Sequence, residues 1–263
     1  MALLTPKDLA NMTDALVEND RLITKLTGYS LDGLCREIYQ TAPKNEKIAI
    51  IPITAGGGII GSFSESLLLT VQHFGMDGFI TTQTDVAGYY EAVMKGADII
   101  LMADDFAYIA HNLKNGKIAH NQISTGRIYA EILCHAKEYA DEKDVLVIGL
   151  GKVGTPALET LLQNHQTVYV SDADSKRVDE IASLYPVLKY NEKSNKTFLK
   201  IFEATPCPDT IPPSALIKNT LISTPGIPCC ISNDLIEKYN VSVVQEPLGI
   251  GTLSMLYAVF DED

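Results

Sequence analysis

One stretch constrains this chain more than any other: Val145-Leu146-Val147-Ile148 runs straight into Gly149-Leu150-Gly151-Lys152-Val153-Gly154 and then into a helical pattern. A G-x-G-x-x-G set between an apolar strand and a helix is the fingerprint of a dinucleotide-binding βαβ unit. Each glycine answers a separate need: the first makes the tight turn, the second lets the backbone approach a pyrophosphate, and the third lets helix and strand pack closely. The helix N-terminus behind them offers unpaired N–H groups and a partial positive charge to the phosphates. A second strand, Val168-Tyr169-Val170-Ser171, ends in Asp172, eighteen positions past Gly154. A carboxylate there accepts from both ribose hydroxyls and repels a 2′-phosphate, which predicts NAD rather than NADP. Lys176 and Arg177 nearby weigh against that preference.

The rest of the sequence agrees with this start. Strand-like and helix-like segments alternate from Ile48 onward, the signature of a parallel sheet covered on both faces. The expected architecture is α/β in two units. Residues 1–140 form a substrate domain with its own parallel sheet. Residues 141–263 form a Rossmann-type, doubly wound parallel sheet, and the closing helix near 252–260 is free to return to the N-terminal unit. The polar run Ala140-Asp141-Glu142-Lys143-Asp144 reads as the junction. With 263 residues there is room for both cores.

Composition excludes several classes of function. A net charge of −12 argues against a surface built for phosphate backbones. No run reaches the roughly 18 apolar residues of a spanning helix, and the first residues lack a basic, then apolar leader, so a cytoplasmic protein is expected. Five cysteines without C-x-x-C spacing, Cys229-Cys230 being the one cluster, suit a reducing compartment better than a disulfide framework. Neither they nor the five histidines have zinc-ligand spacing, so no metal is expected.

Several strand ends carry candidate chemistry. In a doubly wound sheet ligands lie outside the carboxyl ends of the strands. The turns at Glu203-Ala204-Thr205-Pro206-Cys207-Pro208 and Ser223-Thr224-Pro225-Gly226 should therefore border the nicotinamide half of the cofactor. Ala204, Thr205 and Pro206 join the fingerprint residues and Asp172 as expected cofactor contacts. In the first half, the loop Thr54–Ser64 is glycine-rich but lacks the Gly-Lys-Ser/Thr of a P-loop, which leaves a substrate-cradling loop or a plain flexible turn. Phe63 could wall it. Asp104 and Asp105 end a buried-looking strand, a position that either caps a following helix or faces a crevice, and the two acids can divide those roles. His111-Asn112 and His120-Asn121 read as parts of a polar loop. Glu246 ends the last strand before another glycine-rich loop, where it forms a salt bridge or binds a cationic substrate.

Taken together, Leu3-Leu4-Thr5-Pro6, Gly58–Ser66, Ile100–Asp105, His111–Ala119, Gly149–Gly154, Phe202–Cys207 and Glu246–Thr252 resemble the PylD family of pyrrolysine-biosynthesis dehydrogenases, end to end. The resemblance implies NAD-dependent oxidation of the terminal amine carbon of (3R)-3-methyl-D-ornithyl-Nε-L-lysine, loss of ammonia and closure of a pyrroline ring. It also implies a homodimer. By the same resemblance Leu4, Thr5, Phe63 and Asn121 lie at the substrate, with the first helix folding over it. Glu246 and Asp104 are expected to anchor the substrate ammonium groups and, secondarily, to move protons. The family's serine in the glycine-rich loop is Ala55 here, so no hydroxyl contact is expected there. Two other readings share the fingerprint: another NAD-dependent amine or amino-acid dehydrogenase, and a non-catalytic NAD-binding sensor. The sensor lacks a visible output module, since no basic or helix-turn-helix segment is present.

Overall fold

The computed structural model describes residues 12–55 and 63–260. Leu4, Thr5 and the centre of the glycine-rich loop, residues 56–62, lie outside them, so the expected substrate contacts at Leu4 and Thr5 are not among the described residues. The chain forms two compact units. The first contains Tyr29–Thr125, Pro247 onward and the described residues before Arg21. The second contains Arg21–Gly28 and Gly126–Glu246. The junction expected near 140–144 is a short 3-10 turn, Lys137–Tyr139, and a loop inside the second unit.

The first unit opens with helix α1 (Met12–Thr27), whose later turns belong to the second unit, and α2 (Leu31–Tyr39). Ser30 caps α2 by accepting from the Gly33 N–H, as a short hydroxyl side chain before a helix should. Strand β1 (Lys47–Ile51), α3 (Phe63–His73), β2 (Asp77–Ile80), α4 (Asp85–Met94) and β3 (Ile99–Ala103) then make a parallel core with β2 and β3 on either side of β1. Because side chains alternate along a strand, Ile48 and Ile50 face one way and Ala49 and Ile51 the other. The first pair packs with Leu67 and Val71 of α3, and the second with Ala92 of α4, so helices cover both faces. The closing helix α9 (Gly249–Ala258) lies in the α3-side core through Met255 and Leu256.

Two features differ from the sequence expectation. The segment around His111 and His120 is a hairpin, β4 (Tyr108–Asn112) and β5 (Ile118–His120), which extends the sheet with antiparallel strands. The sheet order is β2-β1-β3-β4-β5, mixed at this edge, and only the residues between the two strands form the polar turn. Its polar residues hide the strand pattern because Asn112, only 2% exposed, is satisfied at a distance by donating to the Val259 carbonyl at 3.3 Å. The second difference is that Asp104 leads into this hairpin and no helix follows it.

Helix α5 (Asn121–His135) begins in the first unit and continues into the second. Beyond it run β6 (Asp144–Ile148), α6 (Gly154–Gln163), β7 (Thr167–Ser171), α7 (Ser175–Leu184), the two-residue β8 (Leu188–Lys189), β9 (Phe198–Glu203), β10 (Leu216–Ser223), α8 (Asn233–Tyr239) and β11 (Ser242–Val244). All six strands are parallel, in the order β11-β10-β9-β6-β7-β8. That is the dinucleotide-fold order, with the strand sequence reversing direction between β6 and β9. One core joins Leu146, Phe198, Ile201 and Ile222 to residues of α8 such as Leu235 and Ile236. Truncating a fully buried member such as Phe198 to alanine should cost about 3–5 kcal/mol. No described helix is long and apolar enough to cross a membrane.

Candidate functional site

The fingerprint turn lies at the carboxyl end of β6, beside the reversal point. Gly149 has φ +88°, and a Cβ there would stand 2.8 Å from the Ala204 carbonyl oxygen. A Cβ on Gly154 would be 1.8 Å from the Gly149 oxygen, so the third glycine is imposed by close packing of the turn on the helix start. At Gly151 a Cβ would meet nothing within 4 Å. The middle glycine therefore faces open space beside the α6 N-terminus, where a phosphate would need to approach. Asp172 stands immediately after β7 and is half-buried. Its Oδ2 accepts the Leu150 N–H at 2.7 Å and its Oδ1 the Asp174 N–H at 2.9 Å. Arg177 is committed to the same turn: it donates to the Leu150 carbonyl at 3.0 Å and pairs with Glu180 at 2.8 Å.

From this turn a continuous set of contacts runs along the carboxyl edges of the next strands. Ala204 donates to the Ile148 carbonyl at 2.9 Å. Glu203, fully buried at the end of β9, accepts from the Thr205 N–H and hydroxyl, the Thr210 hydroxyl at 2.8 Å and the Thr224 hydroxyl at 3.0 Å. Gly226 packs so tightly that a Cβ would lie 2.8 Å from the Thr205 carbonyl. The Gln245 side chain donates to the Gly226 carbonyl, and Glu246 follows. Only 1% of Glu246 is exposed. Its backbone is gripped from both sides by Tyr129 of α5, whose hydroxyl donates to the Glu246 carbonyl at 2.5 Å and accepts its N–H at 3.0 Å. Burial, and then the Glu246 charge, push the Tyr129 phenol well above its ordinary range, so it keeps the proton it donates.

A second group lies in the first unit. Asp104 begins the β3–β4 turn, where its Oδ1 accepts the Phe106 and Ala107 N–H groups, each at 2.8 Å. It caps a hairpin turn, in place of the helix cap expected from sequence. Ala103, just before it, pairs across the hairpin with Tyr108. The Tyr108 ring meets Phe63 edge to face, 6.1 Å between centroids. The Tyr108 hydroxyl lies 2.9 Å from Thr252 Oγ1, and Thr252 in turn donates to the Leu248 carbonyl at 2.8 Å. Asn121, buried at the start of α5, is reached through Gly251, where a Cβ would be 3.0 Å from Asn121 Nδ2 and 2.2 Å from Thr125 Oγ1. Phe63, Asn121 and the Asp104 turn are thus joined around Tyr108 and the start of α9.

The expected residues fall into two sets: Gly149–Gly154, Asp172, Ala204–Pro206 and Glu246 in the second unit, and Phe63, Asp104 and Asn121 in the first. Sequence reasoning gave no part to Tyr129 or Tyr108, and named Glu203 and Thr252 only as members of strand-end motifs, without roles of their own. Glu203 carried a readable signal, since it is an acid at the end of an apolar strand like Asp104 and Glu246. Tyr129 had none, because its role depends on a partner 117 positions away.

Comparison with known proteins adds the family. Residues 8–119 match the N-terminal domain of pyrrolysine biosynthesis protein PylD. A pyrrolysine synthase from Methanosarcina acetivorans is 52% identical over 259 residues, covering 98% of this chain and 100% of the relative. Another from Methanosarcina barkeri is 52% identical over 261 residues, covering 98% of each. Among solved structures, quinate dehydrogenase from Corynebacterium glutamicum in complex with NAD has a TM-score of 0.52 at 11% identity, over 83% of this chain and 95% of that one. Shikimate 5-dehydrogenase from Thermus thermophilus, in complex with NADP(H) and shikimate, has a TM-score of 0.52 at 12% identity, also over 83% and 95%. At those identities the likeness is one of fold. With relatives that match it over nearly its whole length, the chain belongs to the pyrrolysine synthase family.

Proposed function

We propose that the chain is an NAD-dependent dehydrogenase that oxidises the terminal amine carbon of (3R)-3-methyl-D-ornithyl-Nε-L-lysine and so leads to the pyrroline ring of pyrrolysine. The observation that carries this reading is the fingerprint turn with open space at Gly151 and Asp172 beside Leu150, in a chain 52% identical to pyrrolysine synthases. Those residues fit a dinucleotide: the Gly149–Gly154 backbone and the α6 N-terminus suit a pyrophosphate, and Asp172 suits a ribose with free hydroxyls. Ala204, Thr205 and Pro206 border the next strand end. NAD, when bound, supplies the hydride acceptor.

The chain's own residues govern the rest. A hydride departs readily only from the carbon of a neutral amine, so a carboxylate or water must first take a proton from the ammonium. Glu246, buried and fixed through its backbone by Tyr129, is the residue we assign to hold that end of the substrate. Asp104 keeps Oδ1 for its turn and offers Oδ2 to a second ammonium group. The family resemblance adds Leu4, Thr5, Phe63 and Asn121 as substrate contacts of this reading. Water is best excluded while the hydride moves, and must then be admitted to hydrolyse the iminium to an aldehyde and ammonia. The ornithyl α-amine then condenses with the aldehyde and expels water. A homodimer accompanies this reading and is checked by sedimentation.

The direct test mixes the protein with NAD and the synthetic isopeptide, follows NADH absorbance and weighs the product. NADH formation, with a product lighter by ammonia and two hydrogens and a rate far above that with lysine or ornithine, is the expected outcome. Turnover of a different amine would select another dehydrogenase of this class. NAD binding without turnover of any amine would leave the sensor.

A further inference from the structure

Glu203 is a fully buried acid that no step of the proposed reaction uses. It is the last residue of β9 and lies opposite Ile148 in the sheet. The next residue, Ala204, donates its N–H to the Ile148 carbonyl at 2.9 Å, and a Cβ on Gly149 would stand 2.8 Å from the Ala204 carbonyl oxygen. Glu203 is thus one residue from the backbone that packs on the fingerprint turn.

Burying a carboxylate is costly unless its charge is answered. At Glu203 neutral donors answer it. Its Oε1 accepts the Thr205 N–H at 2.9 Å, the Thr205 hydroxyl and the Thr210 hydroxyl at 2.8 Å, and its Oε2 accepts the Thr224 hydroxyl at 3.0 Å. These donors match the roughly four lone-pair sites of an ionised carboxylate. Among the described residues no Lys, Arg or His pairs with it. A salt-bridged acid presents no net charge at a distance, whereas one held by hydroxyl and amide dipoles keeps its full negative charge. The same bonds tie the loop after β9 to the loop after β10. An uncharged Gln of the same length can make most of those ties, so holding the loops does not require the charge.

We propose that Glu203 is a positioning residue whose charge makes the site prefer the oxidised to the reduced cofactor. This rests on the reading above, in which the turns after β9 and β10 border the nicotinamide. The oxidised nicotinamide ring is a cation and the reduced ring is neutral, so a fixed negative charge near it stabilises the first and not the second. Two buried acids then divide the charge that moves with the hydride. The ring loses its positive charge as the amine carbon gains one in the iminium, and Glu246 serves the iminium as Glu203 serves the ring. The consequence is a site that takes up NAD and releases NADH readily, with a smaller driving force for the transfer itself.

The test titrates the full-length protein with NAD by calorimetry and with NADH by fluorescence, at about 0.15 M salt, which screens the field of the net charge beyond about 8 Å. NAD should bind more tightly than NADH. In Glu203→Gln the ratio Kd(NADH)/Kd(NAD) should fall about tenfold, a rise of about 30 mV in the potential of the bound couple. Thr210→Val removes one donor and keeps the charge, so it should move both affinities together and leave the ratio at its wild-type value. A ratio unchanged in Glu203→Gln, or shifted as far in Thr210→Val, overturns the proposal and leaves the nucleotide site standing. If circular dichroism shows Glu203→Gln unfolded, the wild-type titrations decide: tighter NAD supports the proposal and tighter NADH overturns it. A wild-type protein that binds neither dinucleotide overturns the dehydrogenase reading, and this proposal with it.

Discussion

Tyr129 and Glu246 form a buried residue-scale arrangement in the second unit. The phenol fixes the Glu246 main chain through two hydrogen bonds, which sets where the carboxylate begins. Tyr129→Phe keeps the ring and leaves a buried N–H and a buried carbonyl without partners, a loss of about 1–3 kcal/mol. Calorimetry should record a lower unfolding midpoint, and turnover should fall with NAD affinity kept. Glu246→Gln separates chemistry from folding. It should cost about 10²–10⁴-fold in turnover with little change in NAD titration, and wild-type rates would take Glu246 out of the site. Asp172→Ala should weaken NAD about tenfold by isothermal titration, about 1.4 kcal/mol. Unchanged affinity would remove Asp172 from the ribose.

At the scale of elements, the strand–turn–helix unit depends on a glycine that no other residue can replace. Gly154→Ala forces a Cβ to 1.8 Å from the Gly149 carbonyl, so the turn must open. NAD binding should be lost by titration while the β1–β5 sheet is kept, as judged by hydrogen exchange. Helix α4 gives a pH-dependent counterpart. The Glu91 carboxylate is held at about 2 by Lys95, 2.7 Å away, and then by the Gln83 and Thr82 N–H groups. Its folded pKa lies below the unfolded value of about 4.3. The stabilisation is therefore fully present above that value and disappears as pH falls toward about 2. Urea midpoints of wild type and Glu91→Gln should differ at neutral pH and converge over this acid window; a gap that stays constant with pH would sink the assignment. These two elements also mark how far the sequence could be read. The nucleotide turn was legible because glycine spacing, an apolar strand and a strand-end acid are all local. The β4–β5 hairpin was not, because Asn112 is buried on the strength of a carbonyl 147 positions away, at Val259. Asp104 is legible as a strand-end acid, but the hairpin turn it caps is not, because the turn bond from the Ala107 N–H has no strong sequence signal.

For the whole molecule, the relevant quantity is the field made by a net charge of −12. The proposed substrates carry opposite charges, the isopeptide several ammonium groups and NAD a pyrophosphate. Long-range attraction should raise the encounter rate of the isopeptide and oppose that of NAD. Added salt screens both effects, the Debye length falling from about 30 Å at 0.01 M to about 10 Å at 0.1 M. Raising ionic strength across that range should lower kcat/KM for the isopeptide and, at saturating isopeptide, raise kcat/KM for NAD. A neutral osmolyte at matched osmolality should do neither, which separates screening from a general effect on the fold. Two dependences of the same sign would mean that local groups such as Lys152 and Lys176 near the turn, or Asp104 and Glu246 at their strand ends, outweigh the net charge. The steering argument would then fail while the site assignments stood.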